Sequence, residues 1–403
     1  MYRDKTAILF IFTAFVSGLC GAFFYPLSSL FIVEQLGASP MMLSMYMVLA
    51  VVSSVIVSQL IATQSDKNWQ RKTILIVALS CYLITVLSFV FVRDYWLAVT
   101  IATVFGSVSG ASFGQLFAMG REYADKNVED STTFLSTMRA GIAIAWVFGP
   151  PAAFMLKASF GFSAAFMVSA SIVSIAILVI TTSLPSCEVT APSGESSQDK
   201  PSSRGVNQLV ALYCVAMVFA FAANNLYITS MPLYLSQELK VDGNWLGFLF
   251  GAAALCEIPV MLWAGRLAQK VGAIKLMMLG VATGIVFYMV MLTSQTFVTM
   301  LAAQILNGFF IGVCATLGMV VLQDMMRDRL GTASTLFSSM LSISMLLASL
   351  SVGVVGELYN YYSTLYVSFA GVIVAVILLW LFTYKVRQQQ TVLPTTVPSI
   401  SSH

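Results

Sequence analysis

The chain is predicted to be an all-α polytopic membrane protein, with twelve transmembrane helices arranged as two six-helix pseudo-repeats. Three observations carry that prediction. Hydrophobic residues fill 59% of the 403 positions and charged residues only 9%, with a mean hydropathy of +0.89. A soluble globule of this length needs far more polar surface. Apolar runs long enough to cross a ~30 Å hydrocarbon core recur from end to end. Finally, local features recur about two hundred positions apart, on either side of a polar stretch.

Taken in order, the apolar runs cover 6–33, 41–63, 73–92, 97–119, 131–156, 162–183, 207–236, 244–265, 273–293, 296–322, 332–355 and 364–384. Each should be helical, because backbone polar groups in lipid must be satisfied within the segment. Arg3 and Lys5 precede the first run as they would in a signal peptide, but the run continues past signal-peptide length. Ser17-Gly18-Leu19 before Cys20 does not suit a lipoprotein site. Residues 1–183 form the first half and 207–384 the second. Between them, 184–206 is rich in Pro, Ser, Gly and charge and reads as a flexible cytoplasmic linker. Residues 385–403 form a cytoplasmic tail.

The halves echo each other. Pro26 of the first run has a counterpart in Pro232 of the seventh, and Arg121-Glu122 is matched by Arg327-Asp328. Ser131-Thr132-Thr133-Phe134-Leu135-Ser136 resembles Ala333-Ser334-Thr335-Leu336-Phe337-Ser338. Repeats of this kind point to a transporter with its site at mid-depth between the halves.

Orientation follows from the basic residues. With the N-terminus inside, Arg93, Lys157 and Lys240 lie outside, Arg139 lies within the bilayer, and the other sixteen of the twenty Lys and Arg are cytoplasmic. That bias places both termini in the cytoplasm. The net charge of +3 is therefore an orientation signal and gives no indication of nucleic acid. The six cysteines are scattered and read as small core residues, not as disulfides or metal ligands. The one histidine is His403, so histidine-based catalysis and metal binding are not expected, and no cofactor is implied.

The candidate site centres on 139–151, Arg-Ala-Gly-Ile-Ala-Ile-Ala-Trp-Val-Phe-Gly-Pro-Pro. A guanidinium in hydrocarbon must face a partner or a water-filled cavity. On a helix Arg139, Ala143, Trp146 and Pro150 share one stripe, and Gly149-Pro150-Pro151 should weaken or kink the helix just beyond. In the repeat alignment Arg139 falls opposite Leu341, so the charge belongs to one half only. Glu257 is the one acidic residue placed deep in the membrane. Counted from Ser131 and from Arg266, the two charges lie ~12 and ~13.5 Å from the same surface, which predicts an ion pair between the halves. Gln115, Asn224, Asn225, Tyr227, Gln304 and Asn307 add amides and a phenol at mid-depth. They suit either the hydroxyls of a sugar or hydrogen bonds between helices. Trp146 offers a flat face to a sugar ring, or packs between helices.

Specific stretches resemble the sugar efflux transporter family of the major facilitator superfamily. They include Gln115-Leu116-Phe117-Ala118 with Arg121-Glu122-Tyr123-Ala124-Asp125, Met138-Arg139-Ala140 leading to Ala145-Trp146-Val147 and Gly149-Pro150-Pro151, and Met231-Pro232-Leu233. Gly251-Ala252-Ala253 with Glu257-Ile258-Pro259, and Asn307 with Phe310-Ile311-Gly312, extend the match. The resemblance implies the major facilitator fold in a bacterial inner membrane, a monomer, and export of a sugar or glycoside in exchange for protons. A proton gradient would then be the energy source, and proton and sugar the small-molecule partners. It also implies a latch in the loop after the second run. Here Ala62, Asp66 and Lys67 fit that motif while Trp69 and Gln70 depart from it, so the latch would rest on Asp66, Arg71 and Lys72. Arg121 and Glu122 would help to close the cytoplasmic face or set topology.

Two other readings stand beside this one. A multidrug/proton antiporter of the same superfamily would share fold and orientation, and would have a more apolar cavity. A non-transporting receptor or scaffold would need a sensing domain, for which the short loops leave no room. An enzyme is not expected, since one deep carboxylate without histidine makes no acid–base pair.

Overall fold

Apolar composition over 20 to 30 positions leaves the backbone one way to satisfy itself in lipid, and the computed structural model is helical throughout its spans. It describes residues 5–65, 70–128, 131–184, 208–294, 296–326 and 330–392. Asp66, Lys67, Arg327-Asp328-Arg329, nearly all of the 184–206 linker and the last part of the tail lie outside the described residues.

The first span is Lys5–Glu34, the second Pro40–Ser65 and the third Arg71–Phe91. The fourth, Tyr95–Asn127, contains a π-helical turn at Ala102–Gly106. One helical stretch, Ser131–Ser183, has 53 residues. Straight, it would be ~80 Å long, far more than a bilayer needs. It is broken at Gly161 (φ 82°, ψ 175°), a backbone conformation that suits glycine alone. The stretch is therefore the fifth and sixth spans, 131–160 and 162–183. Among the described residues eleven segments are long and apolar enough to cross a membrane, and this break gives twelve crossings. The second half comprises Gln208–Glu238, Asn244–Val271, Ala273–Thr293, Phe297–Met325, Leu330–Leu358 and Thr364–Val392.

Pro150 and Pro151 lie inside one continuous helical stretch, whose non-helical residue is Gly161. Gly149 lies against Ala22 and Pro151 lies opposite Gly251, so these residues serve close packing between helices. The fourth span runs on to Asn127 and carries Arg121 and Glu122 on a helix. The eighth span continues to Val271, beyond the expected end at 265.

Within each half, the first span packs on the fifth and sixth, and the seventh packs on the eleventh and twelfth. Between the halves, the second span meets the eleventh and the fifth meets the eighth. Those contacts gather at the end of the bundle remote from the termini. There Gly353 lies on Ser44, Gly356 on Pro40, Gly247 on Met155 and Gly243 on Ala158. The Met41 N–H also donates to Glu357 Oε2 at 3.3 Å. This end is closed by small residues that let backbones approach.

Candidate functional site

A cavity of about 420 Å³ lies at mid-depth. Its walls come mainly from the first half, and residues of the fifth, seventh and eleventh spans complete it. The first span presents Ser17, Gly21, Tyr25 and Ser28, which helical spacing puts on one stripe. The second presents Tyr46, Ala50 and Ser54, and the fourth Ala102, Gly106 and Ser109. Tyr82 and Thr85 of the third span form the back wall.

Trp146 and Asn225 are the two sequence-predicted residues that line this cavity. Trp146 is 39% exposed and stands 6.4 Å, centroid to centroid, from the ring of Tyr25. Asn225 Nδ2 donates to Ser344 Oγ at 3.1 Å, which orients its amide at the cavity edge. The Tyr25 hydroxyl has Thr229 of the seventh span beside it but makes no hydrogen bond of acceptable geometry. The Tyr82 hydroxyl donates to the Cys20 carbonyl at 2.6 Å. Sequence reasoning passed over Tyr25, Tyr46, Tyr82 and the cavity serines. The available signal was their spacing, since small and hydroxyl residues recur three and four apart on the first and fourth spans.

The other amides sit elsewhere. The Tyr227 hydroxyl donates to Gln304 Oε1 at 3.4 Å, and Asn307 Nδ2 donates to the same oxygen at 3.3 Å. Gln304 Nε2 donates in turn to the Met300 carbonyl at 3.0 Å. All three side chains are buried inside the second half, so in this conformation they join the seventh and tenth spans. Asn224 is half-buried on the seventh span, and Gln115 is buried in the fourth.

No ion pair joins Arg139 to Glu257 in this structure, contrary to the depth argument. The reason is the register of the fifth and eighth helices. Gly251 lies opposite Pro151 and Gly247 against Met155 in this antiparallel pair, so Glu257 is level with about residue 145, some six residues or ~9 Å along the helix from Arg139. Arg139 instead reaches across to the tenth span, with its NH1 3.0 Å from Met319 Sδ. Its guanidinium also stands 5.6 Å from the Phe117 ring centroid, a cation–π contact. Glu257 is half-buried, its helix held close to the tenth span at Gly308 and Gly312.

The expected latch residues also bond within one half. Arg71 Nε pairs with Glu122 Oε1 at 2.7 Å, linking the third and fourth spans. Lys72 Nζ donates to the carbonyls of Thr181 (3.1 Å) and Leu184 (2.7 Å) and caps the sixth span. Arg121 and Asp125 form an exposed pair one turn apart at 3.9 Å. These groups brace the terminus-side rim of the first half, whereas the far end is where the two halves touch.

Comparison with known proteins agrees with this architecture. A model of the Major Facilitator Superfamily matches residues 10–211 and 213–400. The chain is 32% identical over 377 residues to sugar efflux transporter A of Dickeya chrysanthemi, covering 94% of this chain and 95% of that one. It is 31% identical to sugar efflux transporter B of Salmonella typhimurium, covering 89% and 91%. Among solved structures, the nucleoside transporter NupG superposes with a TM-score of 0.77 at 13% identity, covering 95% of this chain and 100% of that one. A bacterial homologue of the iron transporter ferroportin in an inward-facing state gives 0.72 at 16% identity, covering 95% and 99%. These two likenesses concern the fold.

Proposed function

The chain belongs to the sugar efflux transporter family of the major facilitator superfamily, a family of membrane transporters and not of enzymes, and we propose that it exports sugars or glycosides by alternating access. The observation that carries this reading is the mixed lining of the mid-depth cavity: an aromatic pair, Trp146 with Tyr25, set among hydroxyls and the Asn225 amide. A sugar entering it gives up hydrogen bonds to water, and each one left unreplaced costs ~1–3 kcal/mol. Hydroxyls and amides both donate and accept, and aromatic faces suit the C–H side of a pyranose. A volume of about 420 Å³ falls within the ~300–1,000 Å³ of small-molecule sites.

The basic-residue bias supports cytoplasmic termini, and the bacterial relatives support the inner membrane. The closed far end then faces outward, and the cavity loads from the cytoplasm. Rocking of the halves would bring the rim carrying Arg71, Lys72, Arg121 and Glu122 toward the second half and open the far end. Glu257 is the proposed proton carrier, because it is a carboxylate in mid-membrane without an ion-pair partner among the described residues. Arg139 is the proposed sensor of closure, because its side chain bridges the halves to Met319. The chain is expected to act as a monomer.

The multidrug reading draws on one observation, the apolar share of the lining, with Met47, Val51, Val55, Phe113 and Met345. Uptake of labelled lactose, glucose and a lipophilic cation into everted vesicles separates the two. Sugar uptake that collapses with a protonophore is the expected result. Cation uptake without sugar uptake would transfer the case to drug export. Reporter fusions at Ser193 and His403 active only outside the cell would overturn the orientation.

A further inference from the structure

We propose that the cavity has two subsites, and that its inner end, bounded by Gly21 and Gly106, admits the second ring or aglycone of a neutral glycoside. This rests on the reading of the chain as a sugar exporter and names which part of the substrate the first half selects.

The argument begins with missing side chains. Gly21 and Gly106 both line the cavity, and a Cβ built on either meets no atom within 4 Å. The space is therefore part of the cavity and is not taken up by helix packing. Gly110, one turn further on, behaves differently, since a Cβ there would run into Ser54. Gly106 also ends the π-helical turn Ala102–Gly106, a local widening of the helix that is common at functional sites. Glycine in a helix costs stability relative to alanine by roughly 0.5–1 kcal/mol. At Gly110 close packing accounts for it, whereas at Gly21 and Gly106 the structure offers only the room itself.

The chemistry of the walls defines what fits. Among the described residues no charged side chain lines the cavity, which selects a neutral occupant over an ammonium or carboxylate. Several wall hydroxyls already spend their protons on backbone carbonyls. Ser109 donates to Gly106 at 2.6 Å, Thr85 to Cys81 at 3.0 Å, Ser28 to Tyr25 at 2.9 Å and Tyr82 to Cys20 at 2.6 Å. Their oxygens keep acceptor lone pairs toward the cavity. These oxygens suit an occupant that brings donors, as the hydroxyls of a sugar do, while the Ser17 and Tyr25 hydroxyls can donate to it in return. The outer end, with Trp146 and Asn225 at the junction of the halves, takes one ring, and the inner end takes whatever is linked to it.

The test uses the full chain in everted vesicles, comparing labelled lactose with labelled glucose for wild type, Gly106→Leu and Gly21→Leu. Filling the inner end should lower lactose flux by about tenfold more than glucose flux, the discrimination that a few methylenes give in a pocket. Gly106→Ala and Gly21→Ala add one carbon into open space. They should raise the KM for lactose more than that for glucose, so the comparison survives if a leucine variant fails to insert. A lactose-to-glucose ratio unchanged in all four variants overturns the subsite. Wild-type protein that moves neither sugar overturns the exporter reading itself, an outcome distinct from an unchanged ratio.

Discussion

The two halves share a plan and differ inside. In the first half, Gly21 and Gly106 face open space, and the Tyr25 hydroxyl is left without a hydrogen bond. In the second, several interior glycines are packed against neighbouring helices. Gly308 lies against Cys256 and Ala253, Gly280 against Val313, and Gly284 against Phe310. Two of its tyrosines are spent internally, Tyr213 donating to the Gly318 carbonyl at 2.8 Å and Tyr288 to the Ala223 carbonyl at 2.9 Å. Tyr227 sits among Phe250, Phe287 and Tyr288. A repeat thus supplies two similar scaffolds, and the use of each is decided by which glycines are packed against and which are left open.

The largest effect that would break this comparison is expected at Gly308. A side chain there would place its Cβ 2.6 Å from Cys256 Cβ and 2.9 Å from the Ala253 carbonyl. Gly308→Val should cost well over the ~1–3 kcal/mol typical of overpacking, because backbone has to move. It should be read as loss of folded protein or a large drop in Tm in detergent. The alanine variant of Gly21 should leave Tm within a degree or two, roughly the effect of a few tenths of a kcal/mol. Equal sensitivity at both sites would show that the two halves are not as different as their packing.

Next in size is Arg139→Ala. The guanidinium bridges the halves through Met319 and stacks on Phe117, and its loss should reduce sugar efflux by at least about tenfold while the protein still inserts. Met319→Leu keeps the volume and removes the sulfur, and should have a much smaller effect. Normal export by Arg139→Ala would remove this residue from the mechanism.

A pair of phenol deletions sharpens the contrast further. Tyr227→Phe removes a hydroxyl bonded to Gln304 and should cost ~1 kcal/mol of stability, leaving sugar selectivity as it is. Tyr25→Phe removes a hydroxyl with no bond to lose, so Tm should hold or rise while the KM for a glycoside increases severalfold. Thermal melts and vesicle kinetics on the two variants read both quantities. The reverse pattern would mean that the second half holds the ligand.

The smallest effect is expected at the rim. Arg71 and Glu122 form a partly exposed pair, so Glu122→Gln should cost no more than ~1 kcal/mol. A large loss of transport with unchanged Tm would instead mark this pair as part of the cytoplasmic gate.

Much of this was legible without coordinates. Hydropathy alone determined the helical class and the twelve crossings, because lipid leaves the backbone no alternative to internal hydrogen bonding. The break between the fifth and sixth spans was readable within a few residues, since Gly161 falls in the gap between two apolar runs. Trp146 and Asn225 were also found, one as an aromatic plate and one as a mid-depth amide. Tertiary structure decided the rest. Counting residues to Arg266 put Glu257 level with Arg139, but the eighth helix packs with Gly251 opposite Pro151, which sets the carboxylate past Arg139. Gln304 and Asn307 resembled ligand groups in composition, yet the rotation of the tenth helix turns them toward Tyr227. Whether a glycine marks close packing or open space is likewise invisible in one strand of sequence. It depends on the neighbouring helix, and the sequence of either helix alone holds no record of which atoms the other brings to it.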